Sequence, residues 1–403
     1  MKTLNYLYVI IVLCLTFTVF TYAPILNKYW YFYLLSFFLA IKNKAIDTKM
    51  FAPLIIFSII VLANTIMGDP IYQDVVNSII ELAALFIPVS ILVYILKSRD
   101  IKTASLIIYS FLALTIYTTL ISYSVNSIDP GIIRRAIMYH IDENAGYVRE
   151  FYAKGLSNYL LPHGLCILIP PMVLLIKGSN RKWKKYFYAS SLFAVCTLVY
   201  ISGSTTSLLL SLLGLILSAT LSSNNDAQKN YRVMIWTILL ASPILFSSEL
   251  QLYIIKVFSN IVGESSLYQD KLAEFEMAAS SGQAGEDMSI RSDLLIQSLK
   301  EFFLSPLWGT SAPVGGHNAI VDRLAALGII GIVPLYLYFK NIYQWTICFI
   351  DNRVMPFCVL SIFNGLVMLF SKNMMVWEVL VILCLIMPTM FFLYSEQIKN
   401  NRV

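Results

Sequence analysis

The sequence predicts an all-α polytopic membrane protein, a single integral membrane domain of about twelve helices with two large external loops. Three observations predict it. The 403 residues are 58% hydrophobic and only 13% charged, where a soluble domain carries about 25% charge. Apolar runs follow one another along almost the whole chain, so no soluble domain of roughly 100 residues can be set apart. The basic residues, finally, are gathered in alternate links between those runs.

A membrane helix needs about 20 apolar residues. On that measure spans are expected at 4–22, 25–41, 51–67, 75–96, 103–123, 159–176, 233–250, 319–339, 354–370 and 376–394. The run that follows Lys2 reads as a retained first helix rather than a cleaved leader, because further spans follow it at once. The stretch 186–221 is apolar except for Ser202-Gly203-Ser204-Thr205-Thr206-Ser207. As one helix it would run roughly 54 Å, too long for a hydrocarbon core of about 30 Å. A tight hairpin of two short spans, 186–201 and 207–221, is expected instead, which completes the twelve.

Charge tests the count separately. With the N-terminus inside, the segments 1–3, 42–50, 97–102, 177–185, 222–232, 340–353 and 395–403 hold 18 of the 29 Lys and Arg. The short external links hold only Lys28 and Lys372. That bias is what positive-inside orientation requires, and it puts both termini in the cytoplasm. The net charge of +6 is thereby spent on orientation and points to no nucleic-acid partner. The six cysteines include no C-x-x-C pair and read as small buried hydrophobes.

Two external segments, 124–158 and 251–318, are too long to be plain links, and loops of that length tend to carry function. The first contains Arg134, Arg135, His140 and Arg149 among aromatic residues, with Lys154 and His163 beyond. Guanidinium groups grip phosphate oxygens bidentately, so these arginines are candidates to clamp a diphosphate; binding of lipid headgroups is the competing reading. The second loop passes a flexible stretch, 280–285, to a segment starting at Arg291 whose apolar residues recur at helical spacing. That segment is expected to be an amphipathic helix near the membrane surface. Ser305-Pro306-Leu307-Trp308-Gly309 ends it. Gly315-Gly316-His317-Asn318 then leads into a span carrying Asp322 and Arg323. Charges just inside a membrane helix are costly unless they face protein or water, which makes both candidate site residues. Asn318 at a helix start favours an anion or serves as a plain N-cap. Asp129, Asp142 and Glu143 are scattered, so no metal site is expected.

The run from Gly315 to Leu324, followed by Leu327-Gly328-Ile329-Ile330-Gly331, resembles the signature of the O-antigen ligase and polymerase superfamily, most closely the Wzy-type polymerases of O-antigen and capsule. Arg291 to Gly309 is similar to the helix that precedes that signature. One departure stands out: where family members often carry an Arg, Ile201 to Ser207 has none. The resemblance implies a GT-C-like fold in the bacterial inner membrane and a cofactor-free, metal-independent, inverting glycosyl transfer on the periplasmic side. It implies undecaprenyl-diphosphate-linked glycans as substrates, and a chain-length regulator and flippase of the same pathway as partners. Under it Arg291 stabilises the departing diphosphate and His317 acts as base on the acceptor hydroxyl. Arg134, Arg135, Arg149, Asn318, Asp322 and Arg323 then bind substrate. Two alternatives compete: an O-antigen ligase transferring the glycan to lipid A core, and a flippase for the lipid-linked unit.

Overall fold

The structure is a computed structural model. It describes residues 2–21, 30–67, 72–139, 145–222, 228–235, 286–310, 318–371 and 375–400, with the isolated positions 272, 273 and 276. Every regular element in these stretches is helical. In order they are α1 (Lys2–Thr16), α2 (Thr18–Thr21), α3 (Trp30–Lys42), α4 (Thr48–Met67), α5 (Tyr72–Ser98), α6 (Ile101–Ile128), α7 (Ile132–Tyr139) and α8 (Ala145–Lys154). There follow α9 (Leu160–Leu165), continued through one 3-10 turn into α10 (Ile169–Gly178), then α11 (Lys182–Ile201) and α12 (Thr205–Thr220). Beyond the second loop's first part come α13 (Glu286–Leu304), α14 (Ala319–Phe349) and α15 (Met355–Ser371). The last rod is α16 (Trp377–Val381), a π-turn at Ile382–Ile386, and α17 (Met387–Asn400).

Among the described residues seven helices are long and apolar enough to cross a membrane, and α1, α3 and α12 contribute shorter apolar helices. The expected hairpin is present: α11 and α12 are joined by Ser202–Ser204, with Gly203 at φ 68° in the turn. The span expected at 233–250 lies outside the described residues from position 236 onward.

The helix ends sort into two levels. At one, Asn43 donates to Tyr8 (2.6 Å), Lys97 meets Asp47 (3.2 Å) and Asn341 donates to the carbonyl of Lys49 (2.9 Å). The Asp351 N–H donates to Ser395 there (3.0 Å), and Gln397 to the carbonyl of Gly178 (3.1 Å). Lys177 spends its three N–H donors on the carbonyls of Ser218, Ala219 and Leu221, which closes the C-terminal end of α12. At the other level, Thr18 donates to the carbonyl of Leu156 (2.5 Å), Tyr117 to that of Lys154 (3.0 Å) and Asn64 to that of Ala326 (2.9 Å). Asn158 reaches Glu378 there, and Asn318 reaches the carbonyl of Phe370. Ends that the charge pattern assigns to one side of the membrane thus meet one another. Between the levels the core is apolar, with Phe57, Phe111, Phe357, Phe391 and Tyr338 buried.

At the first level Asp47 caps α4 by accepting from the Met50 N–H (3.3 Å) and also holds Lys97. Partial burial alone would raise its carboxyl, but the Lys97 and backbone hydrogen bonds outweigh it and hold the group below its ordinary value. A depressed carboxylate contributes stability that is present above its unfolded-state pKa and is lost as pH falls through the folded one. We expect Asp47→Ala to cost about 1 kcal/mol at neutral pH. The difference from wild type should vanish at low pH in thermal melts of the purified protein; a difference that does not change with pH would contradict this.

Two elements depart from expectation. The span expected at 319–339 as one uninterrupted helix runs to Phe349 and is broken at Gly328, which takes φ 63°. The helix α13, expected to lie near the membrane surface, is seated on the first turns of α14 and runs in the same direction, Ser298 beside Asp322 and Pro306 beside Ile329. The two departures share a cause. The segment after α13 inserts at the break: the Thr310 N–H donates to the carbonyl of Ala325 (3.0 Å), and the Ile329 and Ile330 N–H groups donate to Pro306 (2.9 Å) and Leu307 (3.2 Å). Asn64 takes the carbonyl of Ala326. A helix break inside a membrane protein is tolerated only when its freed backbone groups find partners, and here four of them do. Gly309 and Gly328 make the approach possible. A Cβ on Gly309 would stand 2.2 Å from the Ala326 oxygen, and one on Gly328 would stand 2.3 Å from the Leu307 oxygen.

Candidate functional site

The candidate site is built on the second level, where α13 seats against α14. Asn318 is the N-cap of α14, accepting from the Val321 N–H at 3.0 Å. Asp322, one turn on, accepts from the Asn318 N–H (2.9 Å) and from Ser298 of α13 (2.6 Å). Asn318 and Asp322 therefore lock the start of α14 to α13 and to the end of α15. Arg323 points to another neighbour: its Nη1 lies 2.5 Å from Glu81 Oε1 on α5, and both side chains are 19% exposed. The approach is a charge contact that lacks hydrogen-bond angles, and the Arg323 Nε has no hydrogen-bond partner among the described residues. Adjacent residues on one helix thus face different elements, as the 100° step between them requires.

Arg291 lies on α13, about 10 Å of helix beyond Ser298. Since Ser298 meets Asp322, Arg291 is carried to roughly the height of the α14 entrance. His317 and the rest of 311–317 lie outside the described residues, as does the side chain of Arg291.

The first loop is helical in its described parts. α7 buries Ile132 and Ile133, leaves Arg134 half-buried and exposes Arg135. Arg135 is held by Asp129 and by the carbonyl of Pro130 (2.7 Å). Arg149 is exposed on α8, whose Val148 and Tyr152 are buried. Lys154 bonds Glu150 at 2.6 Å, and that hydrogen bond keeps the exposed Glu150 carboxyl below its ordinary value. Arg134, Arg135 and Arg149 thus stand on two short helices at the same level as the α14 entrance.

A second polar group gathers where the sequence showed only its parts. His163 of α9 is fully buried, with Nδ1 against Ser207 and 3.2 Å from Ser204, whose hydroxyls are 3.0 Å apart. The Tyr159 and His163 rings meet edge to face, with centroids 4.6 Å apart. Asn158 accepts from the Leu161 N–H (2.9 Å) at the start of α9 while its amide reaches Glu378. An imidazole bonded to two hydroxyls can relay a proton; enclosed as it is, this one ties the 202–207 turn to α9. Below Arg323 lies an apolar cavity of about 390 Å³ between α14, α15 and the last rod. Its described lining is apolar apart from Arg323 at one end and Thr346 towards the other.

These features define the class: an α-helical, polytopic membrane protein with a polar, partly charged layer at one level of the bundle. No known family model matches the chain, and no characterised protein matches it significantly.

Proposed function

We propose that the protein polymerises undecaprenyl-diphosphate-linked oligosaccharide repeat units into O-antigen or capsular polysaccharide. On this reading it has twelve spans in the bacterial inner membrane, with both termini cytoplasmic and the second level periplasmic. The observation that carries the proposal is the seating of α13 on α14. It brings the helix of Arg291 beside the helix entrance that follows His317, so that a guanidinium and an imidazole serve one diphosphate-linked sugar. A sugar diphosphate already has a good leaving group. The protein's work is to stabilise the departing charge and to engage one acceptor hydroxyl. Arginine stays charged at any relevant pH, and histidine has an ordinary pKa of about 6.5, suited to taking a proton near neutrality. The apolar cavity ending at Arg323 suits part of a lipid tail whose phosphate lies at the helix ends.

We expect His317→Ala and Arg291→Ala each to abolish chain growth while the protein remains inserted and abundant. The readout is the ladder of glycan lengths in cells, together with elongation of lipid-linked units by purified protein in detergent. Wild-type chain length in both variants would overturn the assignment. The detergent assay also removes the flippase alternative, since moving a lipid between leaflets has no meaning without a bilayer.

A further inference from the structure

The hairpin that follows α13 carries an apolar tip whose depth can be read from the helices around it. From Phe302 to Thr310 the chain has no charged residue. Phe303, Leu304, Leu307 and Trp308 are 73%, 77%, 56% and 71% exposed. Four large apolar side chains in so short a stretch form a surface that water does not favour. The tip is also fixed in height, because Pro306 and Leu307 accept from Ile329 and Ile330. Ala326, at the same break, stands 15 residues, about 22 Å, above Asn341, which contacts Lys49 beside the Lys97–Asp47 pair. With that charged level as one edge of a core about 30 Å thick, the tip sits several ångströms inside the opposite edge.

We propose that Phe302–Gly309 is embedded in the acyl chains of the leaflet on the loop side, as the tip of a re-entrant hairpin. Two further observations place lipid there. The exposed apolar surface of the tip continues onto Ile329, Val333 and Tyr336 of α14, which crosses the membrane. Several of the tip's backbone groups are also satisfied without water. Pro306 has no N–H, the Gly309 N–H is satisfied by Ser305 (2.9 Å), and the carbonyls of Pro306 and Leu307 are taken by α14. Lys300 and Glu301 stand one turn before the tip, where headgroups begin. This inference rests on the membrane character of the chain and not on the polymerase reading.

Trp308 reports on it directly. The chain has six tryptophans, so its signal is taken as the difference in fluorescence between wild type and Trp308→Phe, each reconstituted as the full chain in phosphatidylcholine vesicles. We expect that difference signal to be quenched several-fold more strongly by lipids brominated along the acyl chain than by aqueous iodide. Stronger quenching by iodide would put the tip in water. Quenching by neither would put it under protein. Either result overturns the proposal.

Discussion

Gly328→Ala and Gly309→Ala are each expected to lower the thermal midpoint of the purified protein steeply, at a cost of about 3 kcal/mol or more apiece. Both residues sit in the left-handed region, at φ 63° and 75°, which costs an L-residue roughly 1–2 kcal/mol. Both also abut backbone rather than a side chain that could swing away, so the added methyl must push the two strands of chain apart. Separation would release the Thr310, Ile329 and Ile330 hydrogen bonds together. Because the two glycines meet in one contact, the double variant should cost much less than the two singles combined. Gly146→Ala is the matching control, since nothing lies within 4 Å of its new methyl. Midpoints for the Gly309 and Gly328 variants equal to the control's would show that the insertion at the break is not formed.

The second large effect concerns the Arg323–Glu81 pair, and here stability and activity are expected to part. Removing one member of a buried ion pair costs about 3–5 kcal/mol because the other charge is left uncompensated. With 19% of each side chain exposed, the lower end of that range is appropriate for Arg323→Ala or Glu81→Ala. The neutral pair, Arg323→Gln with Glu81→Gln, should recover most of the loss. If Arg323 contacts a substrate phosphate, the neutral pair remains inactive in chain growth although it is stable. Full activity in the neutral pair would remove Arg323 from the site and leave it a structural tie between α14 and α5.

The parts of the fold that were legible in the sequence are those governed by length and local chemistry. The hairpin of α11 and α12 followed from comparing the 186–221 run with the thickness of a bilayer, and the Asn318 cap from a short polar residue before an apolar run. Pairings across the chain were not legible. Glu81 and Arg323 each read as a charge near a span end, and nothing local to either names the other across more than 240 residues. Leu327 to Gly331 reads as ordinary helix because the break depends on an earlier segment, Pro306 to Thr310, that folds back against it. The apolar spacing of α13 reveals a stripe, but a stripe can cover a helix as well as a bilayer. His163 and Ser207 are each polar residues beside apolar runs, yet no pattern in the sequence joins them. The chemical assignment to Arg291 and His317 rests on a motif, and the fold adds to it the docking of one helix on another.

The closeness of α11 to α12 constrains how the chain enters the membrane. The three residues of Ser202–Ser204 reach about 10 Å at full extension, a third of the hydrocarbon thickness. On the reading that α11 crosses the bilayer, α12 cannot wait on the far side as a separate segment. Its leading turn is already tied to α9, with Ser204 and Ser207 bound to His163. On that reading the two legs leave the insertion machinery as one unit, and α9 is the element that receives them.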